Sequence, residues 1–315
     1  MPFGLQSSSA TDKRESLLSI LKDVSPNTDN YFVTNLGVAP AAANTLHQWG
    51  VYNTARPTSV TGVIEGAQAS YDDLVTPEKS SNYTVLLDET VRVSDTQQAI
   101  STITGENPMA FQKDRALKRL KAKMEYVTIN GDVVARASGV ASGMAGFHNM
   151  ISTNVTARSS GTSFTETELN DMMEDSYNQV SMEFIADLLV CPMIIKRRIA
   201  GFTANLTRNI DASDKKLDNE IRVYDSTVGQ TVKIIPHKDV RKVNLSATLG
   251  NALAIYALRE ETFKHSFLVG QEPKWVELAR DGHRVNGMYK TEFTLVSFAQ
   301  RASVKRTGYM NNLTG

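Results

Sequence analysis

TLHQWGVYNTARPTSVTGVIEGAQAS at residues 45–70 and SSNYTVLLDETVRVSDTQQ at residues 80–98 decide the reading of this chain. The strand-like pieces, Leu46 to Tyr52, Val60 to Ile64 and Tyr83 to Val93, are separated by Gly50, Arg56-Pro57, Gly62, Gly66 and Thr76-Pro77. That punctuation predicts an extended hairpin. A two-stranded ribbon standing off a body gains too little burial in water to offset the entropy of ordering it. The stretch therefore points to a surface completed by a neighbouring chain, and so to assembly.

Directly after the ribbon, Asn107-Pro108 opens the clearest helix of the sequence, with Asn as N-cap and Pro at the first helical position. Leu117, Leu120, Met124 and Val127 recur at three- and four-residue steps, and Asn130-Gly131 supplies a stop. The other face carries Lys113, Arg115, Lys118, Arg119, Lys121 and Lys123 against one acid, Asp114. Such a face is either a solvated helix surface or one turned toward a polyanion.

Upstream of the ribbon, residues 1–45 hold a polar lead and a short amphipathic piece in which Leu17, Leu18, Ile20, Leu21 and Val24 crowd one side. The rest of this stretch shows no regular period. It reads as an arm with one short helix and no core of its own, lying on something else, such as a neighbouring subunit.

Downstream of the helix, ARASGVASGMAGFHNMISTN at 135–154 reads as a loop region whose glycines match no phosphate-binding or dinucleotide fingerprint. A capping box at Thr165 and Glu168, with a Phe164–Leu169 staple, starts a helix running through Met172, Met173, Tyr177 and Val180. Ala186 to Cys191 then reads as a buried strand, and Pro192 opens another helix. A hairpin is predicted over 220–236 around Ser226 to Gln230, with short strands at 252–258 and 266–269. TEFTLVSFAQRASVKR, from residue 291, is a last strand placed to return to the sheet begun early.

Composition limits the function classes. Lys plus Arg equal Asp plus Glu at 34 each, so no whole-molecule field draws in nucleic acid or membrane, and any basic surface is local. No window approaches the roughly 18 apolar residues that span a bilayer, and the first residues lack the apolar core of a signal peptide. These features predict a cytoplasmic soluble chain. The five histidines are scattered without metal-ligand spacing, and the single cysteine, Cys191, ends an apolar strand as an inert thiol. No catalytic, cofactor-binding or metal residue is expected.

The parts and their order resemble the major capsid proteins of tailed bacteriophages with the Hong Kong 97-type shell fold. The resemblance is carried by LLSILKDVSPNTDNYF, HQW at 47–49, VIEGAQAS at 63–70, NYT at 82–84, VSDTQQA at 93–99, AGF near 145, VYDSTVGQTVKII at 223–235, ELARDG at 277–282 and YKTEFTLV at 289–296. It implies an α+β capsid fold. Residues 1–45 would be an N-terminal arm, 46–92 an extended loop, 93–164 a peripheral domain with its spine helix at 107–131, 165–285 an axial domain, and 286–315 a return strand of the peripheral domain.

The function implied is a major capsid protein that self-assembles into an icosahedral shell around double-stranded DNA and is not an enzyme. The alternative is the shell protein of a non-viral encapsulating compartment of the same fold. The implied partners are other copies in hexamers and pentamers, packaged DNA by non-specific contact, and portal, scaffold or decoration proteins, with no membrane. The location would be the virion capsid, assembled in the host bacterial cytoplasm. Trp49, Arg56, Glu65 and Tyr71 are the expected inter-subunit contacts, and Arg115, Lys118, Arg119 and Lys121 the expected lumen-facing cations.

Overall fold

The computed structural model describes residues 30–52, 57, 59–69, 76–100, 107–178, 185–202, 223–226, 229–240, 242–246 and 250–309. From its first described residues the chain forms a short helix α1 (Tyr31–Asn35), a two-residue strand β1 (Gly37–Val38), and then β2 (Leu46–Val51) and β3 (Glu78–Tyr83), which pair antiparallel. β4 (Val85–Ser94) and a one-turn helix α2 (Asp95–Ala99) lead to the long helix α3 (Pro108–Asn130). Next come α4 (Phe147–Met150), β5 (Val155–Thr162), α5 (Glu166–Tyr177), β6 (Leu188–Cys191) and α6 (Met193–Phe202). The remaining strands are β7 (Val223–Asp225), β8 (Thr231–Pro236), β9 (Lys242–Ser246), β10 (Gly250–Leu258), β11 (Phe263–Phe267), β12 (Lys274–Leu278), β13 (Arg284–Ser297) and β14 (Val304–Tyr309).

Two sheets organise the described body. A five-stranded sheet runs β1-β11-β13-β12, with β4 also paired to β13 from Phe293↔Val85 to Arg284↔Ser94. A seven-stranded sheet runs β5-β14-β10-β6-β8-β7, with β9 also on β10. β10 is central and buried on both faces. Ala254, Tyr256 and Leu258 face a core shared with Phe32, Met124, Phe147 and Phe293, while Leu253, Ile255 and Ala257 face α5 and α6 through Leu169, Met172, Ile195 and Ile199. Alternation of apolar residues on a strand with two apolar faces is the mark of a strand packed between layers.

Helix α3 starts as its sequence requires: the Asn107 side chain accepts from Met109 N (2.9 Å) and Ala110 N (3.4 Å), ahead of Pro108. Leu120 and Met124 are buried, and Leu117 and Val127 are half-buried. At the other end Gly131 has φ −52°, so it is not the left-handed stop expected. Its lack of a side chain instead admits the Met144 carbonyl and Gly146, whose N–H bonds Gly131 O at 3.0 Å.

Several sequence expectations change. Val60 to Ile64 forms no strand, and Tyr83 to Val93 is broken at Thr84 between the ribbon and the five-stranded sheet. Residues 30–45, expected to lie on something such as a neighbouring subunit, lie on their own chain: Phe32, Leu36, Ala39 and Ala42 are buried, and β1 adds parallel to β11. The apolar spacing allowed this, but only the sheet edge of β11 shows where the segment lies. Half of the expected capping box forms, because Thr165 accepts from Glu168 N (3.3 Å) while the Glu168 carboxylate turns to Arg158 (2.7 Å) and Tyr309. Tyr177 faces solvent, and Val180 lies outside the described residues. The expected last strand is two: β13 pairs with β4, and β14 crosses to the seven-stranded sheet between β10 and β5. β5, with its Ser and Gly content, carried no strand signal; it is held by parallel pairing to β14.

Candidate assembly surface

The ribbon of β2 and β3 is anchored by polar bonds at its base. Asn82, 3% exposed, sends its Nδ2 to Leu295 O (2.9 Å) and Ala145 O (3.1 Å), and its Oδ1 accepts from Ala145 N (2.8 Å). Thr84 Oγ1 donates to Glu292 (2.6 Å), which also takes Arg136 at 2.7 Å. Trp49 donates its indole N–H to Ser297 O at 2.9 Å. Residues 131–146 thus meet β13 across the ribbon's root. A buried side chain with every donor and acceptor engaged fixes geometry, since leaving one unpaired costs about 1–3 kcal/mol.

The far part of the same segment is the opposite case. Val60, Val63 and Ile64 are 84%, 82% and 83% exposed. A tight turn follows, closed by Ala67 N to Ile64 O at 3.0 Å, with Glu65 second and Gly66 third at φ +82°. A type II turn requires positive φ at its third residue, which glycine adopts without strain. Three large apolar side chains held in water next to a turn are a surface awaiting a partner.

Of the expected contact residues, Glu65 stands exposed in this turn, Trp49 lies at the anchored base, and Arg56 and Tyr71 lie outside the described residues. Trp49 is thus bonded at the ribbon's root, whereas Glu65 is exposed in a turn. Asn82 and Thr84 stand within NYT and Glu292 within YKTEFTLV, which give none of them a role, and Arg136 is not singled out by the sequence. An asparagine and a threonine inside a strand run, where β-branched apolar residues are the rule, were the available signal.

The cationic face of α3 is partly matched within the chain. Arg119 and Lys123 share the carboxylate of Glu89 at 2.7 and 2.6 Å, and Lys118 pairs with Asp114 at 2.9 Å. Lys113 stacks over Trp275 (4.4 Å) and Arg115 over Phe111 (5.6 Å), while Lys121 is exposed. Among the described residues Glu89 and Asp114 are the carboxylates seen paired with these cations, which leaves the helix a cationic excess.

Cys191, His148, His237 and His265 are committed to packing, while His283 is exposed. Cys191 is fully buried, and desolvation pushes its thiol up to about 12, with Lys196 offsetting little. His237 Nδ1 accepts from Asp239 N (3.1 Å), so its Nε2 carries the proton and donates to the buried Glu125 (3.1 Å). Glu125 also receives Phe32 N (2.9 Å) and Val33 N (2.8 Å), which ties the start of α1 to α3. His148 meets Tyr256 at 2.9 Å. His265 Nε2 donates to Thr128 Oγ1 (3.0 Å), whose own proton goes to Met124 O. Among the described residues no three His, Cys, Asp or Glu side chains converge as metal ligands.

The model of a family described as SU10 major capsid protein matches residues 4–309. No curated protein matches the chain. Among solved structures, the chain is similar to the capsid of cyanophage A-1(L), at 12% identity and TM-score 0.65, with 97% of this chain and 99% of that chain covered. It is similar to the capsid of a native GTA particle at 10% identity and TM-score 0.62, covering 97% and 99%. It is also similar to the SrpI encapsulin of Synechococcus elongatus PCC 7942 at 10% identity and TM-score 0.60, covering 98% and 97%. At such identities the structural likeness is one of fold.

Proposed function

Because the chain belongs to the SU10 major capsid protein family, and is therefore a shell-forming capsid protein of the virion with the Hong Kong 97-type fold, we propose that it closes an icosahedral shell around double-stranded DNA. The observation that carries the assembly reading is the contrast within residues 46–83: a root with its polar groups engaged and a tip with Val60, Val63 and Ile64 in water. Burial of that tip on a neighbouring copy, within hexamers and pentamers, supplies the apolar contact that a lone ribbon lacks.

The role is structural rather than enzymatic. The family and the buried thiol of Cys191, with His148 and His237 held in hydrogen bonds, support this reading. The residual positive charge of α3 around Arg115, Lys118, Arg119 and Lys121 is the surface we assign to the lumen, where it would meet phosphates without reading sequence. Assembly would take place in the host bacterial cytoplasm, with portal, scaffold or decoration proteins as further partners.

A compartment shell holding a protein cargo is the second reading, favoured by the fold likeness to an encapsulin. Purified particles distinguish the two. Closed shells containing nuclease-protected DNA and no dedicated cargo enzyme are expected, and shells that hold a cargo protein and never DNA would replace the first reading with the second.

A further inference from the structure

Residues 132–143 form a small hairpin beside the root of the ribbon. Val134 and Gly143 exchange both backbone hydrogen bonds at 3.0 Å, and Val140 N closes a turn on Ala137 O at 3.1 Å, with Gly139 third at φ +74°. The bonds between Ala145 and Asn82 hold its base. The hairpin is therefore ordered before anything binds it, yet Val133, Val134 and Val140 are 54%, 38% and 49% exposed. Leu86, also exposed, extends this apolar area, because it stands opposite Glu292 on β13 and Arg136 of the hairpin bonds Glu292 at 2.7 Å.

The charge at this surface has a direction. The Glu292 carboxylate is nearly buried and also takes Thr84, whereas the Arg136 guanidinium is partly exposed, so the group presented to solvent is the cation. The surface also looks away from α3. Side chains alternate between the faces of a strand: Glu89 turns to Arg119 and Lys123 of α3, and Leu86 lies on the other face of β4.

We propose that this hairpin seats the turn at residues 60–66 of a second copy of the chain, apolar side chains against apolar ones and Glu65 on Arg136. The turn offers the matching set, with Val60, Val63 and Ile64 in water beside an exposed acid. Both surfaces are exposed within one chain, so a chain does not fill its own hairpin with its own turn, and the occupant is another copy. Glu65 also rules against the hollow lined by Asp187, Glu260 and Glu261, which carries charge of its own sign. One turn given and one hairpin offered by every copy is a head-to-tail contact, and such contacts close into rings when the rotation closes. The seat presupposes the shell reading above, under which copies stand side by side, and a neighbour covers it without touching the helix face assigned to the lumen.

The test is a disulfide trap in assembled full-length protein carrying Val63→Cys with either Val134→Cys or Val140→Cys, against a control carrying Val63→Cys with Tyr177→Cys on α5. Cys191 is buried and takes no part. Mild oxidation is expected to join chains into covalent multimers, up to closed rings, in the trapping variants and to leave the control monomeric under denaturing conditions. A bridge within one chain, equal bridging in the control, or no bridge in either trapping variant overturns the proposal. Hydrogen exchange on the unmodified protein guards against a variant that does not assemble: from free subunit to closed shell, exchange across 60–66 and 133–143 is expected to slow together, by about tenfold or more. Slowing at 133–143 alone would give the hairpin another partner and overturn the proposal as well. Closed shells in which 133–143 exchange as in the free subunit overturn the seat and leave the shell reading standing, whereas unmodified protein that forms no shell overturns both.

Discussion

Asn82 and Ala145 exchange two hydrogen bonds, Asn82 Nδ2 to Ala145 O at 3.1 Å and Ala145 N to Asn82 Oδ1 at 2.8 Å, so that a side chain of the ribbon pairs with the loop after α3 as a strand would. The same Nδ2 reaches Leu295 O on β13. Three segments far apart in sequence meet on one amide. Asn82→Ala would leave the Ala145 N–H and the Leu295 carbonyl buried and unpaired, at a cost of about 2–4 kcal/mol. Thermal unfolding of the unassembled subunit checks this, and a melting temperature equal to that of the parent would refute the anchoring role.

The tip should behave in the opposite way. Replacing Val60, Val63 and Ile64 together by Ser removes side chains that touch little in the subunit, so its stability should stay within about 0.5 kcal/mol. Assembly should fail, since each of these side chains is worth about 1.5–3 kcal/mol once buried. Negative-stain images of closed shells at parental yield would contradict the interface assignment.

Changing Arg115, Lys118 and Lys121 to Gln tests the lumen assignment of α3. Empty shells should form normally, with DNA retention reduced and its salt dependence shallower by about one unit of slope for each phosphate no longer neutralised. Packaging identical to the parent at every salt concentration would make this face an ordinary solvated one.

Gly287 on β13 lies beneath the ring of Trp275, which also packs against Tyr289 at 4.9 Å between centroids and carries Lys113 above it. A β-carbon at 287 would enter the indole. Gly287→Ala should cost about 1–3 kcal/mol as the ring is displaced, and Trp275 fluorescence should shift toward that of a wetter environment. An unchanged spectrum and melting temperature would show that the ring yields freely.

Desolvation pushes the buried imidazole of His265 down to about 4. Its folded value lies below its unfolded value near 6.5, so the unfolded chain takes up a proton first as pH falls. Stability is unaffected by this group above about pH 6.5 and is lost progressively as pH falls toward 4, the loss amounting to about 3 kcal/mol. His265→Gln, which keeps a donor for Thr128, should flatten the dependence of stability on pH across that window. A slope equal to the parent's would place the titration elsewhere.

Residue order alone determined the parts whose forces are local. The Asn107-Pro108 start of α3, the strand–proline–helix step at Cys191 to Phe202 and the hairpin around residues 226–230 depend on caps, turns and apolar periods carried by near neighbours. Tertiary structure decided what distant partners supply. β14 joins the second sheet, Gly131 is chosen for close approach instead of a turn, Trp49 spends its N–H on Ser297, and Asn82 bridges two segments 63 and 213 residues away. Strand pairing and buried hydrogen bonds depend on which groups meet after the chain has folded back, and spacing along the chain does not carry that information.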